Sequence, residues 1–152
     1  MKEQNLGRLA RMLDRFSTMD QDVKKADLLT FSAAFKMVTA TVLVPLMEEI
    51  KEQLMIADHR ASVVLWPSDS EPRVVNYCID LTGRKTLTNR IRFFAQFDEP
   101  RAVWQVIAEL QITRTATELA RFSPPSEITR DVAEQLLVDA VEEIFAYASA
   151  NP

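Results

Sequence analysis

The residues of this chain that could carry out acid–base chemistry lie around its single histidine. His59 stands in the triplet Asp58-His59-Arg60, and a neighbouring carboxylate can orient an imidazole for general-base catalysis. No serine occupies a GxSxG turn, and the single cysteine, Cys78, falls in the middle of a predicted strand, so nothing completes a catalytic triad. We therefore interpret His59 as a histidine at a helix end, where the helix dipole favours it, and predict no catalytic residue.

Carboxylates are concentrated just before that triplet. Glu48 and Glu52 are one helical turn apart, with Glu49 between them, but carboxylates on one helix hold a hard cation only where other helices add matching ligands. One cysteine and one histidine cannot build a zinc site, and two isolated glycines cannot form a GxGxxG or GxxxxGK[ST] phosphate loop. We predict no metal, no cofactor and no enzymatic activity, and interpret the cluster as a solvated face paired with Lys51. A small enzyme using these carboxylates and the histidine is the third alternative for the function.

Basic residues cluster around a predicted turn in the middle of the chain. Arg84, Lys85, Arg90 and Arg92 lie there, and strand alternation places Arg90, Arg92 and Phe94 on the same face. A basic face with an aromatic side chain can track phosphates and stack bases. The chain nevertheless has a net charge of −4, a sequence pI near 5.1 and no RNP-type sequence. An acidic protein partner or a solvated strand face explains the same residues, and nucleic-acid binding is the alternative.

Two helices are predicted at the N-terminal end. Residues 3–18 carry one amphipathic stripe, formed by Leu6, Leu9, Ala10, Leu13 and Phe16. A second and longer helix runs to about residue 57 after a cap at Asp20 or Asp22. Pro45 lacks the N–H that would bond the carbonyl of residue 41, so we expect a kink there.

The second helix repeats apolar residues every seven positions in two columns, a spacing that lets two helices wrap around each other. It thereby predicts a homodimer interface formed by Ala33, Ala40, Leu43, Met47, Ile50 and Leu54. The helix is also apolar on further sides, for example at Phe31 and Phe35, which indicates that it crosses the core of its own domain. Packing within the chain is the favoured interpretation, and the helix over 23–57 or a sheet edge is the predicted dimer contact.

The spacing of apolar residues changes from three or four to two at about residue 60. Strands are predicted over 62–66, 74–81 and 90–97. Residues 102–122 fit a pair of strands better than a helix, although Thr115 with Glu118 also fits a capping box. A final amphipathic helix covers about residues 128–148. Short turns between consecutive strands favour an antiparallel meander of four or five strands, so the predicted fold class is α+β with the C-terminal helix packed on the sheet.

The length of 152 residues matches one domain, with a helical part over 1–58, a sheet over 61–122 and a C-terminal helix over 127–149. A lone cysteine cannot form an intramolecular disulfide, and no secretory signal is recognisable. The longest apolar run, residues 37–47, falls short of the roughly 20 residues that span a bilayer. These features predict a cytoplasmic protein without a membrane contact. Since no chemistry is assigned, we expect a homodimeric adaptor or chaperone-like protein that binds a protein partner.

Overall fold

The structure is a computed structural model that describes residues 1–66, 74–84 and 87–152, without the side chains of residues 18–26 and 66. Over these residues the chain forms an α+β fold, in which an N-terminal helix pair precedes a five-stranded antiparallel sheet and a C-terminal helix. The helices are α1 (Glu3–Val38), α2 (Val44–Ile56) and α3 (Arg130–Ala150), and the strands are β1 (Arg60–Trp66), β2 (Val74–Asp80), β3 (Asn89–Asp98), β4 (Val103–Ile112) and β5 (Thr115–Phe122). The predicted fold class is confirmed.

The first helix is longer than predicted. α1 continues through Asp20 and Asp22, so the cap predicted at either residue is wrong. No glycine or proline lies in this part of the chain, and nothing there favours ending the helix. Regular α-helical hydrogen bonding is interrupted instead at a π-helical segment, Thr39–Leu43, where the backbone N–H of Val44 donates to the carbonyl of Thr39. Such a segment accommodates one extra residue, and it ends just before Pro45, close to the predicted kink.

The sheet is a meander in which each strand pairs with the next one in the chain. Residues 102–122 supply β4 and β5, which pair with each other, so the preferred strand interpretation is confirmed. The alternative capping box is wrong, because Thr115 begins β5 and lies opposite Ile112. The turns that flank β4 contain Ala102 and Thr113 at φ values of 52° and 57°, a left-handed conformation typical of tight reversals.

One face of the sheet is buried under the helices. Alternate residues of the three central strands point to this inner face, and the buried set includes Val75, Tyr77, Ile79, Ile91, Phe93, Val106, Ala108 and Leu110. The helices that cover it contribute Phe35, Leu43, Met47, Leu137 and Ile144. The hydroxyl of Tyr77 donates a 2.6 Å hydrogen bond to the carbonyl of Met47. A polar contact therefore fixes α2 on the sheet in addition to apolar packing.

The C-terminal helix is held by a cap, an apolar stripe and an ion pair. The side chain of Thr129 accepts a hydrogen bond from the backbone N–H of Val132 at 3.3 Å, which satisfies a free donor of the first turn. The buried stripe consists of Ala133, Leu137, Ala140, Ile144 and Ala148. Arg130 lies 2.8 Å from Glu49 of α2. The helix is thereby joined both to the sheet and to α2.

The helical stretch Asp27–Ile56 is long and apolar enough to cross a membrane, judged by length and composition alone. The prediction that the protein makes no membrane contact rests on the shorter apolar run of residues 37–47. Core helices of globular proteins meet the same criterion, and Phe35, Leu43 and Met47 of this stretch are buried in the core. The stretch comprises the end of α1, the π-helical segment and α2, and 28% of its most apolar window is buried.

Candidate interaction surface

His59 follows α2 and connects it to the turn after β2. Its Nδ1 accepts a 3.0 Å hydrogen bond from the backbone N–H of Thr82, and the hydroxyl of Thr82 donates to the carbonyl of Asp58. The imidazole also meets the ring of Phe145 edge to face, with 5.2 Å between the ring centroids. These contacts give His59 a structural role at a helix end.

The carboxylates of α2 are spread along its surface. Glu48 lies 4.0 Å from Lys51, and Glu49 forms the ion pair with Arg130. Within residues 1–66, 74–84 and 87–152, no group of three or more cysteine, histidine, aspartate or glutamate side chains is placed to hold a metal ion. The cluster therefore offers salt bridges and a polar surface.

Cys78 is half-buried on the outer face of the sheet, opposite Ser62 on one neighbouring strand and Arg90 on the other. Burial raises the pKa of the Cys78 thiol, an effect that the charge of Arg90 opposes and the charge of Asp80 reinforces. A raised pKa keeps the thiol protonated near neutral pH, and the thiol is a poor nucleophile in that form. Cys78 is thus poorly suited to covalent catalysis.

Arg90 and Arg92 lie together on the outer face, and side chains of β4 contact both. Arg90 donates from Nε to the side-chain oxygen of Gln111 at 2.7 Å. Arg92 lies 3.5 Å from Glu109, and its guanidinium stands 4.9 Å from the centroid of the Phe94 ring. A phosphate group would have to compete with these contacts for either arginine.

Arg84 is separated from that pair. Its Nε donates to the carbonyl of Ala148 at 3.4 Å, which places it beside the end of α3 on the helical side of the sheet. Lys85 lies outside the described residues. The structure thus brings together Arg90 and Arg92 but not Arg84, and nucleic-acid binding by this group stays a prediction. Filter binding across a salt series tests it, because phosphate contacts lose affinity steeply as salt rises.

The six residues of the predicted dimer interface lie in different environments. Ala33 and Ala40 are exposed, Ile50 is half-buried, and the buried members are Leu43, Met47 and Leu54. Three of the six side chains are thus occupied by the core of their own chain. The π-helical segment explains the division, because its extra residue turns all later positions by about 100° relative to the earlier ones.

The N-terminal half of α1 forms a surface of its own. We call residues 3–17 the N-terminal arm, and all of these residues are exposed. The predicted stripe of Leu6, Leu9, Ala10, Leu13 and Phe16 is exposed, and Met12 borders it. We call the five large side chains the arm stripe, and their exposed fractions are 51% for Leu6, 42% for Leu9, 59% for Met12, 62% for Leu13 and 67% for Phe16. An amphipathic stripe usually faces a core. The sequence reveals the stripe but carries no signal that the described part of the chain leaves it uncovered.

A groove runs beside the next part of the same helix. One wall is formed by α1, and the other by the turn before β4 and the segment after β5. The lining residues are Asp27, Thr30, Phe31, Ala34, Ala102, Val103, Trp104, Ser123, Pro124 and Pro125, around a cavity of about 410 Å³. The rings of Phe31 and Trp104 are 6.1 Å apart, and Val103 is 39% exposed. We call this the α1 groove, and its lining is mostly apolar.

The arm and the α1 groove are two apolar surfaces that the described residues leave open, beside a cleft of about 330 Å³ between α2 and α3 and a more polar cavity of about 670 Å³ around His59. Comparisons with protein-family models, with curated proteins and with solved structures found no match for this chain.

Proposed function

We propose that this chain is a non-enzymatic protein-interaction protein that acts as a homodimer, in the manner of an adaptor or a chaperone. The observation that supports the proposal is the arm, whose five large apolar side chains are 42–67% exposed. Contiguous exposed apolar surface marks sites that bind another molecule. His59 makes structural contacts at the end of α2, the raised pKa of Cys78 disfavours its reactive thiolate, and Glu48 and Glu49 pair with basic side chains, so binding is better supported than catalysis.

The free energy available from covering the arm is large compared with the stability of a domain. Fully burying a leucine, methionine or phenylalanine side chain contributes roughly 1.5–3 kcal/mol. The five side chains of the stripe are about half exposed, so covering them would contribute on the order of 5 kcal/mol per arm. Domains are stable by only about 5–15 kcal/mol. Association through the arm would therefore add substantially to the stability of the protein.

Light scattering coupled to size exclusion tests the proposal at low micromolar concentration. We expect a mass of twice 17.3 kDa for the full chain. The double variant Leu9→Gln with Leu13→Gln removes apolar surface at two exposed positions while keeping good helix formers, and it should shift the mass towards the monomer.

A matched control carries two changes on the opposite side of the same helix. Gln4→Ala with Arg11→Lys keeps the net charge and the apolar stripe, and it should remain dimeric. A full chain that is strictly monomeric would overturn the homodimer. A dimer that survives the Leu9 and Leu13 changes unaltered would remove the arm as its contact surface.

A further inference from the structure

We propose that the dimer forms by reciprocal exchange of the arms, with the arm of each chain packed antiparallel into the α1 groove of the other. This inference rests on the proposed homodimer and names the surface that each arm occupies. The occupant of the α1 groove is a second copy of this chain.

The helical repeat places the arm stripe and the groove wall on the same side of α1. The stripe residues Leu9, Met12, Leu13 and Phe16 precede by 18 positions the groove residues Asp27, Thr30, Phe31 and Ala34. Eighteen residues are five turns of roughly 3.6 residues, and α1 is continuous between the two sets. One side of a single helix therefore carries an uncovered apolar stripe at one end and an open groove at the other.

This arrangement is complementary to itself. When two copies of α1 lie side by side in opposite directions, residues 9–16 of each chain come beside residues 27–34 of the other. With a two-fold axis near the backbone of residues 21 and 22, each arm packs into the α1 groove of the other chain, and both grooves are filled. Closed two-fold symmetry of this kind is the commonest form of homo-oligomer.

The area available favours a second copy over an unrelated partner. Five side chains that each expose roughly 100 Å² give an arm on the order of 500 Å² of apolar surface. Two arms together with the two grooves that they cover would bury on the order of 2,000 Å², within the range of specific interfaces at roughly 1,200–2,000 Å². One arm on one foreign surface would bury about half of that, which falls below the range.

Disulfide trapping tests the arrangement directly. In a Cys78→Ser background, Leu13→Cys and Thr30→Cys are combined in one chain, at positions that are exposed and face the same side of α1. The two cysteines lie about 25 Å apart along their own helix, too far for a bridge within one chain. Oxidation should therefore convert the variant into a covalent dimer on a non-reducing denaturing gel.

Three controls locate the contact. Each single variant, Leu13→Cys or Thr30→Cys, should give no covalent dimer above the cysteine-free background. The pair Leu13→Cys with Leu29→Cys should also fail, because Leu29 is 59% exposed and lies on the side of α1 nearly opposite to the groove wall. Circular dichroism spectra that match the unmodified chain confirm that each variant is folded.

Several outcomes would overturn the inference. Cross-linking of Leu13→Cys alone would mean that the arms pair with each other, and cross-linking through Leu29→Cys would place the contact on the opposite side of α1. A dimer by light scattering that no Leu13–Thr30 pair traps would remove the arm exchange while leaving the homodimer standing. A monomer in solution would remove both.

Vesicle sedimentation tests whether the arm binds a membrane surface instead of a second copy of the chain. Arg8, Arg11 and Arg15 lie away from the stripe, a pattern also found in helices that lie on anionic membranes. We expect no sedimentation of the chain with vesicles of phosphatidylcholine and phosphatidylserine. Sedimentation of a monomeric chain that Leu9→Gln with Leu13→Gln abolishes would assign the arm to the membrane and overturn the exchange.

Discussion

The buried phenol of Tyr77 provides a quantitative test of how the sheet holds the helical layer. Its side chain is 0% exposed, and its hydroxyl donates the 2.6 Å hydrogen bond to the carbonyl of Met47. That carbonyl also lies within the helical hydrogen-bonding pattern of α2, so Tyr77→Phe leaves no buried acceptor without a partner. We expect the variant to lose about 1 kcal/mol of unfolding free energy, the net contribution of a typical hydrogen bond. For a chain of this length the loss lowers Tm by roughly 2–4 °C.

The same side chain predicts a loss of stability at alkaline pH. Burial, with a smaller contribution from the charge of Glu48, raises the pKa of Tyr77 well above its usual value. The phenol of the unfolded chain ionises at about pH 10. Above that pH the unfolded state binds fewer protons than the folded state, so the free energy of unfolding falls as pH rises. The contribution is complete below about pH 10 and declines above it by up to about 1.4 kcal/mol per pH unit.

Urea unfolding at a series of alkaline pH values measures this slope. The chain has two tyrosines, so Tyr147→Phe makes Tyr77 the only one and serves as the reference. The double variant Tyr77→Phe with Tyr147→Phe should lack the Tyr77 part of the slope, while other titrating groups contribute equally to both proteins. Equal slopes in the two proteins would refute the reasoning. Tyrosinate absorbance that appears in the folded reference near pH 10 would refute it as well, because burial should prevent that ionisation.

Three further changes test the packing, the cap and the outer face. Phe93→Ala empties a fully buried position of the central strand and should cost about 3–5 kcal/mol in urea unfolding, whereas Val64→Ala on the exposed outer face should cost less than about 1 kcal/mol. Thr129→Ala removes the cap of α3 and should cost about 1 kcal/mol, and an unchanged Tm would show that the cap is unimportant. A double-mutant cycle with Arg92→Ala and Glu109→Ala should give a coupling of about 0.5–1 kcal/mol in unfolding free energy, and the coupling should shrink in high salt. No coupling would mean that the ion pair is not stabilising.

The sheet was predictable because the residues of β2 and β3 alternate. Tyr77, Ile79, Ile91 and Phe93 face inwards at every second position of β2 and β3, whereas β4 buries four consecutive residues, 105–108. The C-terminal helix was equally accessible, since its stripe repeats every three or four residues. Local periodicity specifies both elements, because each buries one face against a neighbour.

The helical end was harder to predict, because sequence spacing assumes one uniform helix. A seven-residue column through Ala33, Ala40, Met47 and Leu54 predicts a single surface, but the π-helical segment lies within it and divides the column into exposed and buried parts. The arm was missed as a site for a different reason. Its stripe has the same pattern as a core-facing helix, and the pattern does not reveal whether the domain extends far enough to cover it. Only the three-dimensional extent of the sheet settles that.

The π-helical segment Thr39–Leu43 also sets the rotation of α1 about its own axis relative to α2. Removing one residue there would restore regular α-helical hydrogen bonding. The residues of α1 would then be rotated about the helix axis by about 100° relative to the sheet. Phe31, Phe35 and Val38 lie upstream and would be rotated out of the core, and the arm stripe would face a different side of the molecule. Substitutions elsewhere in the helix would leave this rotation unchanged. The one extra residue of the π-helical segment therefore determines which side of the molecule the arm stripe faces.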